Sequence, residues 1–93
     1  MIRSFADPET ERIWNGGRSR KLPPDMQQRA FRKLGFIDAA FNYEDLQNPS
    51  SNRLHTLKDD RAGQLSIFIN KKWRICFVWK DGDAYDVEIT DYH

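Results

Sequence analysis

Leu65-Ser66-Ile67-Phe68-Ile69-Asn70-Lys71-Lys72-Trp73-Arg74-Ile75-Cys76-Phe77-Val78-Trp79-Lys80-Asp81-Gly82-Asp83-Ala84-Tyr85-Asp86-Val87-Glu88-Ile89 reads as three strands and two turns. Leu65, Ile67 and Ile69 alternate with their neighbours, as do Trp73, Ile75, Phe77 and Trp79, then Tyr85, Val87 and Ile89, which is the period-2 pattern of strands. A loop at Asn70-Lys71-Lys72 pairs Ile69 with Trp73 and Ile67 with Ile75. At the second turn, a two-residue Asp81-Gly82 loop would set Phe77 against Asp86 and Ile75 against Glu88, burying acids. A three-residue loop, Lys80-Asp81-Gly82 with Gly82 left-handed in a bulge, instead pairs Phe77 with Tyr85 and Ile75 with Val87, and is the expected register. One sheet face is then apolar and must be covered. The other carries Ser66, Phe68, Arg74, Cys76, Val78, Asp86, Glu88 and, by alternation, Tyr92, with Arg74 opposite Glu88.

The front of the chain supplies the cover. Ile2 to Phe5 alternates like a short strand. Asp7-Pro8 forms an N-cap and first helical residue, with Glu9 and Glu11 at the positive end of the dipole, and Gly16-Gly17 ends that helix. Pro23-Pro24-Asp25 opens a second, longer helix with a stripe of Met26, Ala30, Leu34, Ile37 and Phe41. Gly35 inside it costs about 1 kcal/mol relative to alanine, which points to close packing there. Asn48-Pro49-Ser50-Ser51-Asn52 separates the halves. The expectation is an α+β fold of one domain, 1–93, with two N-terminal helices on a mostly antiparallel sheet.

A chain of 93 residues folds alone without staples. The single Cys76 excludes an internal disulfide and suits a small core residue in a reducing compartment. No apolar run resembles a signal peptide or approaches the ~20 residues of a membrane span, so a cytoplasmic location is expected. The net charge of +1 hides strong polarisation. Arg18, Arg20, Lys21, Arg29, Arg32 and Lys33 stand against Asp25 alone. Arg53, Lys58, Arg61, Lys71, Lys72, Arg74 and Lys80 stand against Asp59 and Asp60. Residues 81–93 carry acids and no base. Such basic blocks could meet a polyanion while the acidic strand limits indiscriminate binding, or they could be solvated faces with cross-strand ion pairs.

Two histidines, His55 and His93, are the only imidazoles. His55 lies on the first strand of the sheet, and His93 follows Asp91 and Tyr92. Two imidazoles, a carboxylate, a phenol and nearby cations can cleave a phosphodiester without a metal. The histidines and carboxylates lack the spacing of a zinc or di-metal site, and no Gly-rich phosphate loop, nucleophile elbow or Cys/His pair is present. No cofactor is expected.

Four stretches carry a resemblance. Leu54-His55-x-Leu57-Lys58-x-Asp60-Arg61-x-Gly63, Trp73-Arg74-Ile75-x-Phe77, Gly82-Asp83-Ala84-Tyr85 and Asp91-Tyr92-His93, together with Ile2-Arg3-Ser4-Phe5, make the chain similar to the HigB family of bacterial toxins within the RelE/ParE superfamily. The resemblance implies a RelE-like microbial ribonuclease fold. It also implies a ribosome-dependent endoribonuclease that cuts messenger RNA in the decoding site and is neutralised by a HigA-type helix-turn-helix antitoxin, through which the pair reaches operator DNA. By the same resemblance, His55, Asp91, Tyr92 and His93 would form the active site. Lys58 and Arg74 would bind RNA phosphates, and Arg61 lies beside them. The chain departs from the family at Asp59 and Ala62, where glycine and glutamate are common, and Asp59 sets a negative charge beside the expected RNA path.

The chemistry would be attack of an RNA 2′-hydroxyl on the adjacent phosphorus. His93 or Asp91 would serve as base and His55 as acid or phosphate ligand, imidazoles being suited by a pKa near 6.5. Rival readings are a ParE-like gyrase inhibitor of the same fold, which needs no such residues, and an RNA-binding module without toxicity. The catalytic reading makes a sharp demand of His93. Removing it should restore growth on induction at matched expression, through a loss of roughly 10²–10⁴ in rate. Undiminished arrest would end its catalytic assignment.

Overall fold

A computed structural model of the chain describes residues 1–91. Helix α1 spans Pro8–Trp14 and α2 Pro24–Ala39; strands β1 His55–Thr56, β2 Gln64–Phe68, β3 Trp73–Lys80 and β4 Asp83–Asp91 follow. The sheet runs β1-β2-β3-β4 with antiparallel neighbours. This is the expected α+β arrangement. The N-terminal residues add parallel bridges along the free edge of β4, Ile2 to Ala84 and Phe5 to Val87.

Both helices begin where the sequence places them. The Asp7 carboxylate accepts from the Thr10 N–H at 2.8 Å, and Pro8 and Pro24 occupy first-turn positions where a missing N–H costs nothing. Met26, Ala30, Leu34 and Ile37 are buried with Ile67, Ile75, Phe77 and Val87 in one core cluster. The stripe stops there. Phe41 lies beyond the helix end, 89% exposed, because Ala40 turns the chain to an extended conformation. Gly35 is no close-packing site either, since a Cβ there would meet nothing within 4 Å.

The β2–β3 register is the expected one, with Ile67 opposite Ile75. The β3–β4 register is not. Lys80 pairs with Asp83 around a two-residue turn, with Asp81 at φ 52° and Gly82 at φ 82°, as a type I′ hairpin requires. A bulge then inserts one extra residue into β4. Asp86 and Val87 oppose Phe77, Asp86 takes φ 53°, and Ile75 falls opposite Ile89. The expected register set its bulge at Gly82, in the turn, whereas the structure has it at Asp86, within the strand. It keeps the tight turn and still buries Val87, while Asp86 points to solvent. Three consequences correct the expectations. Phe77 does not pair with Tyr85, which lies opposite Val78 on the other face; Ile75 does not pair with Val87; and Arg74 faces Thr90 rather than Glu88.

The N-terminal segment secures the bulge. The Ser4 hydroxyl accepts from the Asp86 N–H at 2.9 Å, and the Ser4 carbonyl accepts from the Val87 N–H at 3.1 Å. Asp83 receives Arg3 at 3.1 Å and the terminal ammonium at 3.3 Å; the hydrogen bond from Arg3 is the main cause holding its carboxyl below the usual range. Thr10 joins α1 to the same strand. Its buried hydroxyl donates to Asp7 at 2.9 Å and accepts from the Ile89 N–H at 2.9 Å. Thr10→Val keeps the shape but orphans that buried N–H, so it should cost about 1–3 kcal/mol. Thermal unfolding should register a drop of about 4–8 °C per kcal/mol. An unchanged midpoint would contradict this role.

Candidate active site

His55 pairs with Ser66 across β1 and β2, Ser66 with Cys76 across β2 and β3, and Cys76 with Glu88 across β3 and β4. One row therefore crosses the whole sheet on the face away from the helices. The neighbouring row holds Phe68, Arg74 and Thr90. A small pocket of about 70 Å³ opens between the two rows, lined by Arg53, His55, Ser66, Phe68 and Arg74. Arg74 donates to the Ser66 hydroxyl at 3.3 Å, which holds its guanidinium against the sheet. Arg53 lays its guanidinium over the Phe68 ring, 4.4 Å from the centroid, within cation–π range. The His55 side chain is exposed, so the imidazole is open to an incoming group.

The remaining row members are structural. Cys76 is fully buried, and burial pushes its thiol up against the opposing pull of Arg61 and Arg74, so it is a packing group rather than a nucleophile. Glu88 accepts Arg61 Nη2 at 2.9 Å, and Arg61 also donates to Gln64 at 3.0 Å. The hydrogen bond that Arg61 donates to Glu88 is the leading reason that its pKa lies above the ordinary value. The salt-bridge partner of Glu88 is thus Arg61, from a 3₁₀ turn, in place of the expected Arg74.

The other expected site residues divide. Lys58 is exposed just before the short 3₁₀ turn Asp59–Arg61, whose first residue takes φ 58°. Glycine adopts that left-handed backbone freely, and aspartate is among the residues that tolerate it, so Asp59 fits the turn. Asp91 is the last described residue of β4. It lies opposite Trp73 and 3.8 Å from the Lys72 ammonium. Tyr92 and His93 lie outside the described residues. Among the described residues, no three His, Cys, Asp or Glu side chains gather as a metal would need. Sequence reasoning missed Arg53 and the roles of Ser66 and Phe68. Alternation along β2 was the available signal for Ser66 and Phe68, whereas Arg53 lies outside β1 on a left-handed backbone, φ 45°.

A family model described as the RelE-like toxin of the type II toxin–antitoxin system HigB matches residues 3–93. The chain belongs to the HigB-like toxin family. It is 36% identical to Toxin HigB-1 of Vibrio cholerae, over 99% of this chain and 98% of that protein. It is also 36% identical to Endoribonuclease HigB of Proteus vulgaris, over the full length of both. An uncharacterised Haemophilus influenzae protein is 29% identical over 95% of this chain and 88% of its own length. Membership implies an antitoxin partner, as type II toxins are held by one. No helix among the described residues is long and apolar enough to cross a membrane.

The Arg61–Glu88 pair is half exposed, with side-chain accessibilities of 37% and 29%. A double-mutant cycle with Arg61→Gln and Glu88→Gln should therefore give a coupling of only about 0.2–1 kcal/mol. A coupling several times larger would show that Arg61 anchors the sheet.

Proposed function

We propose that this toxin is a ribosome-dependent endoribonuclease in the sense that the ribosome presents messenger RNA to it in the decoding site, and that it cuts by metal-independent attack of the RNA 2′-hydroxyl. The observation that carries this reading is the pocket in which an exposed His55 stands with Arg53, Ser66 and Arg74. The name of the Proteus vulgaris relative supports the reaction class. The nucleophile comes with the substrate, so the protein must supply a base for the 2′-proton, an acid for the departing 5′-oxygen and cations for the phosphorus centre.

In this reading His55 protonates the leaving oxygen or holds the phosphate. His93 or Asp91 takes the 2′-proton, and Tyr92 orients or stacks on a nucleotide. Arg74, placed by Ser66, and Lys58 offset charge in the transition state. Arg61, bonded to Glu88, adds to the positive field of the same face. Much of the rate comes from positioning by the ribosome, so the free protein is a poor nuclease. The antitoxin is a HigA-type helix-turn-helix protein that carries the pair to operator DNA, and the toxin works in the cytoplasm.

Cell-free translation tests the reading. The wild-type protein should cut a message being translated, and the Lys58→Glu, Arg74→Glu double variant should lose cleavage by roughly 10² or more while remaining folded by circular dichroism. A folded double variant with full cleavage would refute the phosphate role. Intact message with relaxed plasmid DNA would favour a gyrase poison instead.

A further inference from the structure

The pocket at His55 is small for its task. Its volume of about 70 Å³ compares with roughly 30 Å³ for one water in the liquid, so it admits a phosphate-sized group and not a nucleotide. An RNA strand that reaches it must be gripped elsewhere. A larger groove of about 530 Å³ lies against it, between α2 and the 49–53 loop. That is within the range of built ligand sites, roughly 300–1,000 Å³. Phe68 lines both spaces, and the loop borders both, contributing Pro49 and Ser51 to the groove and Arg53 to the pocket.

The groove is cationic and held in shape. Arg29, Arg32 and Lys33 line it, and no carboxylate does among the described residues. Arg29 is oriented by donating to the Ile69 carbonyl at 3.2 Å. Lys33 is buried and donates to Asn52 Oδ1 at 2.6 Å and to the Ser51 hydroxyl at 3.4 Å, which pins the loop to the helix. Asn52 in turn donates to the carbonyls of Leu46 and Asn48. Burial, then Arg29 and Arg32, lower the Lys33 pKa, as expected where like charges converge without a counter-ion. Phe36 and Phe68 also line it, with Lys33 over the Phe36 ring and Arg53 over the Phe68 ring. Convergent cations in a groove fit the phosphates of a single nucleic-acid strand.

We propose that this α2 groove binds the backbone phosphates of the RNA strand adjoining the phosphate held at His55, with Arg29 and Arg32 as the contacting cations and Lys33 as the positioning residue. The proposal rests on the nuclease reading for its choice of RNA and adds a second, remote grip to it. The basic block at residues 18–33 is thereby divided in two. Arg18 and Arg20 line a different cleft with Arg12, beside α1, which shares no lining residue with the His55 pocket.

That division gives a charge-matched control. Binding of a fluorescein-labelled, uncleavable 2′-O-methyl RNA of about 12 nucleotides would be followed by anisotropy at several salt concentrations. Arg29→Gln, Arg32→Gln should weaken binding at least about tenfold and flatten the plot of log affinity against log salt by about 1.4, from about 0.7 per phosphate on a single strand. Arg18→Gln, Arg20→Gln removes equal charge and should change binding less than about threefold. Equal losses in both variants, or none in the first, would overturn the proposal. So would unchanged RNA binding combined with a weakened antitoxin complex, which would make the groove a protein surface. Cleavage in cell-free translation separates the two levels. Wild-type cleavage with an unaffected groove variant sinks the groove alone, whereas salt-sensitive groove binding without wild-type cleavage sinks the nuclease reading and leaves the groove.

Discussion

The extra residue in β4 is the constraint on which the rest of the sheet depends. A tight Asp81-Gly82 turn fixes where β4 starts, and the apolar core fixes where Val87 and Ile89 must point. The two demands differ by one residue, and a bulge at Asp86 reconciles them. Everything downstream takes its position from that shift. Glu88 comes level with Cys76 and within reach of Arg61, and Thr90 comes level with Arg74. Without the bulge, the end of β4 would present the opposite alternation to the His55 pocket. The N-terminal segment is the second half of this device, because Ser4 satisfies the outward-facing N–H groups of Asp86 and Val87 at the bulge.

The face that results separates structure from chemistry. Its buried middle, Ser66 and Cys76, gives the row its rigidity. Its open end holds groups that can act: His55 with the guanidiniums of Arg53 and Arg74. Cations fixed by Ser66 and Phe68 stay in place while charge develops, which is what electrostatic stabilisation of a transition state needs.

Much of this was legible in the sequence, for identifiable reasons. Period-2 alternation and the Asp7-Pro8 and Pro24-Asp25 starts depend on local chemistry, so the helices, the strands and the β2–β3 register followed from residue order. The β3–β4 register did not, because a bulge is stabilised by Ser4, more than eighty residues away in sequence. Phe41 continued the apolar stripe on paper but lies past the point where Ala40 leaves the helix. At the candidate site, His55 and Arg74 stood out by residue type. Arg53 did not, since its place over Phe68 depends on a left-handed backbone, φ 45°, that brings the loop back across the sheet. The salt-bridge partner of Glu88 was misassigned for the same reason as the register.

The central claim is that the substrate supplies its own nucleophile and the protein supplies proton transfer and charge. The most direct measurement is the chemistry of the cut ends in a message cleaved during translation, with and without a single 2′-deoxy nucleotide at the scissile position. The account predicts a 5′-hydroxyl on the downstream fragment, a cyclic or opened 2′,3′-phosphate on the upstream one, and no cleavage of the 2′-deoxy message. A 5′-phosphate on the downstream fragment, or efficient cutting of the 2′-deoxy message, would contradict it.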